Sequence, residues 1–331
     1  MEIGEELGDS TDSFGYIADA LIDSNGQILV CDEMEGCLKV FDLNGDFIRL
    51  SLHRGSGPGE FRTARSMFSM PDGRVCVLTG DRLGYLAFDD SLDLVEECSP
   101  WFQNSPYYAT ALSDSELVMC RHHGNAATGN MLQTVAVYRW GEPEWKTLLW
   151  KDSMRVEGDG DEALSAMLRF SLVDQLSTCG VGDGIVYFAP NDPHLYEVFA
   201  WDSSGEEVLH ITRTMAPVVR TEQEIADEVF YLNAYMASRS TGHRPLGFDY
   251  EPEPYRDMIA EVEIGPDSNL WVRLGTREGL FFDIYDRNGD PLGHAFYDDP
   301  GWSWETRGTP CGILAWELDP PEGYQKLYLL R

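Results

Sequence analysis

An all-β chain folded as a six-bladed β-propeller, with a helical insert between blades 4 and 5, is the architecture this sequence predicts. Three observations predict it. Short runs of strand-forming residues recur in sets of three, divided by Gly/Asn/Asp turn signals. The sets repeat at a spacing typical of propeller blades. A further strand-like run precedes almost every set, which makes the four strands of a blade.

The first set is QILVCD, CLKVFD and DFIRLSL, with the turn LNGD before its last run. MPDGRVCVLTGD, GYLAFDD and LDLVEEC make the second. SDSELVMCRH, TVAVYRW and EWKTLLW follow, then GDGIVYFAPN, LYEVFAW and EEVLHIT. SNLWVRLG with FFDIYDRNGDPLGHAFY is the fifth, and GILAWEL with QKLYLLR the last. Aligned on one strand position, the copies anchor at Cys31, Leu78, Cys120, Ala189, Arg273 and Trp316, which are 47, 42, 69, 84 and 43 residues apart. Three spacings match a ~40–50-residue blade, and the other two imply insertions of roughly 25 and 40 residues. The inner strands expected ahead of the anchors are GYIADALID, ARSMFSM, YYATALS, LVDQLST, MIAEVEI and WSWETRG. The last set lacks an outer strand, which EIGEEL at residues 2–7 is expected to supply, closing the ring and leaving no lateral edge. GSGPGEF is the crossing from the outer strand of blade 1 to the inner strand of blade 2, with Phe61 plugging the gap between them. Residues 1–331 are thus expected to form one propeller domain.

HRGSGPGEFRTARSMFSMPDGRVCVLTGD with YLAFD resembles an NHL-type repeat, and DALIDSNGQILVCDEMEGCLKVFDLNGDFIR is similar to it. DSNLWVRLG and FFDIYDRNGDPLG resemble later blades of bacterial six-bladed propeller proteins. The likeness covers residues 14–98 and 258–295. It implies an extracytoplasmic location, periplasmic, cell-surface or secreted, and is silent about chemistry.

Hydrophobic residues make up 43% of the 331, with 12% aromatic, so the chain is that of a folded protein despite a net charge of -33. So acidic a chain is a poor partner for nucleic acid or an anionic membrane. No apolar run reaches the ~18 residues of a membrane span. MEIGEELGDS has neither the basic region nor the apolar core of a signal peptide. The seven cysteines show no CxxC spacing and fit neither a zinc site nor a disulfide framework. Cys31, Cys76, Cys120 and Cys179 read as small buried hydrophobes.

Two inserts stand out. In the longer, about 213–256, Thr221 and Glu224 form a capping box for a helix whose Ile225, Val229, Leu232 and Met236 make one stripe. The shorter, about 151–170, contains EGDGDE, which lacks the ligand pattern of a calcium loop.

The loops joining second and third strands, DEMEG, GDRLG, RHHGNAATGN, PNDPH, LGTREG and LDPPEG, share a face with the blade crossings, and that face is expected to carry the site. Asp32, Thr79, Arg121, Pro190, Leu274 and Glu317 are expected to ring the channel mouth there. Arg65, Arg121 and Arg273 are placed to converge on a carboxylate or sulfate, with Arg277 and Glu317 beside them. His122 and His123, with Asp192 and His194 of the next blade, form the candidate metal set for zinc or calcium. Neighbours on a strand point to opposite faces, so both histidines serve one ion only if the strand has already ended. WSW and PWFQNSPYY are alternatives for a carbohydrate surface, against ordinary blade packing. No GxSxG elbow, HExxH, P-loop or dinucleotide fingerprint is present. Two functional readings follow: a non-catalytic protein that binds a protein, small-molecule or carbohydrate ligand on its loop face, and a metal-dependent hydrolase or lyase at the channel mouth.

Overall fold

The computed structural model describes residues 1–4, 11, 13–80, 84–99, 106–125, 130–155, 179–239, 252–276, 279–298, 304–318 and 324–331, with side chains for all but 123–125, 130, 154–155 and 231–239. Its strands form six four-stranded antiparallel sheets. Blade 1 is β2 (Ile17–Ile22), β3 (Ile28–Asp32), β4 (Cys37–Phe41) and β5 (Phe47–Ser51), and blade 2 is β6 (Ala64–Ser69), β7 (Val75–Thr79), β8 (Gly84–Phe88) and β9 (Leu94–Cys98). Blade 3 is β10 (Tyr108–Ser113), β11 (Glu116–Asn125), β12 (Asn130–Arg139) and β13 (Trp145–Arg155). Blade 4 is β14 (Gly180–Gly182), β15 (Ile185–Phe188), β16 (Tyr196–Asp202) and β17 (Glu207–Arg213). The helix α1 (Glu222–Arg239) comes next in the chain. Blade 5 follows it as β18 (Ile259–Ile264), β19 (Leu270–Leu274), β20 (Leu280–Tyr285) and β21 (Pro291–Tyr297). Blade 6 joins β22 (Trp304–Thr309), β23 (Gly312–Glu317) and β24 (Leu327–Leu330) to β1 (Glu2–Ile3). The N-terminal strand pairs Glu2 with Tyr328 and Ile3 with Leu327, closing the ring as the missing outer strand predicts.

Both faces of the middle strands are buried, because every blade is sandwiched between two others. In β3, Ile28 and Val30 pack toward blade 6 while Leu29 and Cys31 pack toward blade 2. That is why these strands read as continuous apolar runs rather than alternating ones. Six apolar clusters fill the six blade junctions. Phe61 is fully buried in the first of them, the plug expected of GSGPGEF.

The hairpin turns lie on one face of the ring, and the second-to-third-strand loops, the blade crossings and α1 lie on the other. The turn face repeats one device. Asp42 Oδ1 accepts the N–H groups of Asn44 (2.8 Å) and Asp46 (2.9 Å). Asp89, Asp202 and Asp286 do the same for the residues two and four ahead, and Asp23 does so between β2 and β3. The residue three beyond each Asp has positive φ. It is Gly26, Gly45, Gly205 and Gly289 in four turns and Leu92 in the fifth, where φ is 64°.

Two strands depart from the sequence reading. The inner strand of blade 4 is Gly180–Gly182, C-terminal to LVDQLST, which lies outside the described residues. Glycine suits this position because a Cβ at Gly180 would sit 3.3 Å from the backbone of β18. The RHH segment is strand rather than loop, since β11 runs to Asn125, paired throughout with β12. The capping box is as expected. Glu224 N–H donates to Thr221 Oγ1 (3.2 Å) and Thr221 N–H to Glu224 Oε2 (2.7 Å).

Candidate functional site

The second strands lie one layer out from the channel, so their ends do not ring its mouth. Asp32, Thr79, Arg121 and Leu274 are buried between blades. Asp32 is a fastening instead. It accepts N–H bonds from Gly15 (2.9 Å), Tyr16 (3.3 Å) and Glu35 (3.1 Å), and pairs with the fully buried Lys39 at 3.2 Å.

The arginine convergence does not form. Arg65 is exposed on β6 of blade 2. Arg121 is buried in blade 3, donating to Tyr138 Oη (3.1 Å) and lying over that ring. Arg273 of blade 5 donates to Glu261 Oε2 (2.9 Å). Arg277 lies outside the described residues. Glu317 ends β23, and its carbonyl accepts from Gln325 Nε2 (3.0 Å). Arg121 and Arg273 have each met a partner inside their own blade.

The metal set is likewise dispersed. His122 and His123 are consecutive residues of a continuing strand, and such neighbours alternate between the faces of the sheet. The His122 ring packs on Tyr107, with centroids 4.6 Å apart. Asp192 Oδ1 accepts the N–H groups of His194 (2.7 Å) and Leu195 (3.0 Å), and the His194 ring packs on Tyr255. Among the described residues, no three His, Cys, Asp or Glu side chains gather as a metal-ligand group. EGDGDE lies outside the described residues. Trp304 of WSW is buried in the packing between blades 5 and 6.

The ionic cluster that does form lies on the inner strands. The inner edge of each sheet leaves backbone N–H groups without a ladder partner, and buried donors need acceptors. Acids of one inner strand supply them to the next blade. Asp19 Oδ2 accepts Met67 N–H (2.6 Å), and Glu263 Oε2 accepts Gly308 N–H (3.1 Å). Arg307, on β22, then reaches across the channel. Its Nη2 lies 2.5 Å from Asp19 Oδ2 in blade 1 and its Nη1 donates to Tyr108 Oη in blade 3 at 2.8 Å. Burial works against the guanidinium charge, but Asp19 and Tyr108 hold it, and its pKa is raised well above its usual value.

A second group lies between blades 5 and 6. Glu261 accepts from Arg273 and from Thr306 Oγ1, and Glu305 is hydrogen-bonded to it. Burial, then the Glu261 charge, pushes the Glu305 carboxyl well above the carboxylate range, against the pull of Arg273. Burial and the neighbouring carboxyl therefore favour the neutral form of Glu305. Asp19, Ser66 and Glu261 hold equivalent places. Each follows a bulge near the start of its inner strand, at Ile17/Asp19, Ala64/Ser66 and Ile259/Glu261. The signal available in the sequence was charge inside the inner-strand runs, in IADALI, IAEVEI and WETRG.

Chemically, the channel pairs Asp19 with Arg307 and Glu261 with Arg273, while Arg307 Nε and Ser66 Oγ are buried without a hydrogen-bond partner among the described residues. The loop face is different. Met34, Leu195, Val219 and Phe230, on its loops, its longest crossing and α1, are 48–75% exposed. The base of α1 is fixed to that face by the ion pairs Arg256–Glu224 (2.7 Å) and Arg220–Glu228 (2.6 Å) and by the Val219–Tyr255 bridge.

No protein-family model and no curated protein matches the sequence. Solved structures do match its fold. A member of the DUF4221 family from Bacteroides vulgatus is 10% identical, with 100% of this chain and 96% of that one covered and a TM-score of 0.53. A Bacteroides fragilis protein described as exported is 12% identical over 100% and 95% of the two chains, at 0.52. A gluconolactonase from Xanthomonas campestris is 11% identical over 97% and 88%, at 0.50. At such identities the likeness is one of fold alone: this chain is a six-bladed β-propeller with structural neighbours among exported and DUF4221 proteins. No helix among the described residues is long and apolar enough to cross a membrane.

Proposed function

We propose that residues 1–331 form one NHL-like propeller domain that acts outside the cytoplasm as a non-catalytic binding protein, taking a protein or carbohydrate ligand on its loop face. The observation that carries this reading is the set of apolar side chains exposed on the irregular loops, crossing and helix of the loop face, Met34, Leu195, Val219 and Phe230; the other exposed apolar side chains, among them Val95, Val208, Leu292 and Phe296, lie on the outer strands at the rim. Exposed apolar groups set among polar loops are a usual mark of a binding surface. Arg65 is exposed on the same side and supplies a charged contact; burial raises the Glu33 carboxyl pKa, and the nearby Arg65 offsets part of that rise. The channel, with Arg307 held by Asp19 and Tyr108 and Arg273 by Glu261, serves as the fastening of the ring.

The competing reading is a metal-dependent hydrolase or lyase using His122, His123, Asp192 and His194. What supports it is that these residues come from adjacent blades toward the loop side. Elemental analysis of tag-free protein separates the two. The binding reading expects far less than one zinc, calcium or manganese per chain, unchanged in His122→Ala and His194→Ala. About one equivalent of metal, lost in either variant, would overturn it.

A further inference from the structure

Seven cysteines are spread over the ring, and two of them meet. Cys120, on β11 of blade 3, and Cys179, immediately before β14 of blade 4, are 0% and 1% exposed, and their Sγ atoms lie 2.9 Å apart. Two sulfur atoms in mere van der Waals contact stay further apart than this. The pair sits in the apolar cluster of the blade 3–blade 4 junction with Val118, Val135, Val186 and Phe188, where no water competes for the sulfurs.

Both backbones are held. Cys120 is paired with Tyr108 across the β10–β11 ladder, and its carbonyl accepts Tyr107 N–H (3.2 Å). Tyr108 Oη donates to the Cys179 carbonyl (3.2 Å) while accepting from Arg307. The same tyrosine therefore positions one cysteine beside the other and ties both to the channel. The chain between the two cysteines includes the long crossing from β13 to β14, so a bond there would close a large loop.

We propose that Cys120 and Cys179 form a disulfide that fastens blade 3 to blade 4 beside the channel. The oxidant is a small-molecule or enzyme-borne disulfide, such as oxidised glutathione. One cysteine, as thiolate, attacks the glutathione disulfide and releases one glutathione thiolate, leaving a mixed disulfide. The second cysteine thiolate attacks the protein sulfur of that mixed disulfide, forms the Cys120–Cys179 bond and releases the other glutathione. The two thiol protons end on the two glutathione thiolates, and the protein pair is oxidised as glutathione is reduced. Burial pushes the Cys179 thiol well above its ordinary pKa, which makes it a poor nucleophile in the closed structure. Oxidation accordingly takes place while the blade 3–blade 4 junction is open, during folding or in local opening.

The test uses the full chain from two sources. One sample is folded protein kept for hours in oxidised glutathione at mildly alkaline pH and sub-denaturing urea. The other is the chain exported into an oxidising bacterial periplasm. Both are quenched in acid, denatured, alkylated without reductant and mapped by peptide mass spectrometry. The expected result in either is a cross-linked peptide pair containing Cys120 and Cys179, a mass lower by two hydrogens, and five alkylated thiols in place of seven. Oxidation should also raise the melting temperature of the wild-type protein by several degrees, and reductant should reverse the shift. The paired variant Cys120→Ser/Cys179→Ser should lose both the cross-link and the reductant-sensitive shift. If that variant does not fold, the wild-type peptide map decides alone. Seven alkylated thiols in both samples, or a cross-link joining other cysteines, would overturn the proposal.

Discussion

The two faces of the ring are built by opposite means. The turn face uses one local device five times, an Asp whose carboxylate caps the N–H groups two and four residues ahead. The loop face repeats nothing comparable. It carries the crossings, the exposed Met34, Leu195, Val219 and Phe230, and α1 on its ion-paired base. Between them lies the channel, where Arg307 of blade 6 meets Asp19 of blade 1 and Arg273 meets Glu261 within blade 5. The difference teaches that repetition in this chain marks what holds a blade, and that the loop face, which departs from it, is where the proposed binding role rests.

The comparison breaks first at the channel. Arg307→Met would leave Asp19 buried without its counter-charge, and such losses cost about 3–5 kcal/mol. Urea denaturation should show a loss of that size, and a change under about 1 kcal/mol would mean the channel pair is not a fastening. A smaller effect is expected at Leu92, which occupies the glycine place of the turn device but is 4% exposed in the blade 1–blade 2 cluster. Leu92→Gly relieves positive-φ strain of about 1–2 kcal/mol. It forfeits about 1.5–3 kcal/mol of burial. The net expectation is a modest loss of stability, and a gain would show that the turn rather than the packing decides this position.

Glu305 sharpens the contrast through pH. Its folded pKa is raised above the ordinary 4.5, so its contribution to stability is complete below that pH and is lost as the pH rises toward the folded value. Glu305→Gln keeps the neutral form at every pH. The stability of the wild type relative to this variant should fall as the pH is raised from 4 to 9, measured by denaturant melts. Parallel curves would mean that Glu305 is ionised in the folded state. The smallest effect belongs to the turn face. Asp42 lies at the surface, partly exposed, and the N–H groups of Asp46 and Asn44 hold its carboxyl below 3.8. That contribution is present above pH 3.8 and fades as the pH falls through the lowered folded value. Asp42→Ala should slightly depress the melting temperature at pH 7, with less depression in acid, and leave binding untouched.

Much of the architecture was legible because it is local. Strand, turn and strand lie within a few residues of one another in CLKVFD, LNGD and DFIRLSL, and the Thr221–Glu224 capping box needs only one helical turn. The site was less legible because its contacts are not local. Asp19 and Arg307 are 288 residues apart in the chain, and neither belongs to a motif. The expectation for Arg121 and Arg273 failed for a related reason. Arg273 does lie near the end of β19, but Arg121 lies within β11, and whether such an arginine faces a ligand or a partner such as Tyr138 depends on the neighbouring strands. The RHH segment read as loop because glycine and asparagine follow it, whereas pairing with β12 carries the strand through them to Asn125. Cys120 and Cys179 each looked like a core residue, which they are; that they are neighbours is a property of the ring alone.

The central claim is that this propeller meets its ligand on the loop face. The most direct test places a photo-reactive amino acid in the full chain at Leu195 on the loop face and, separately, at Asn44 on the turn face, and illuminates each in an extract of the source cells. The account predicts a discrete covalent adduct from the Leu195 position, absent from Asn44 and suppressed by Met34→Glu with Val219→Glu. An adduct formed from Asn44 but not from Leu195, or none from either, would contradict it.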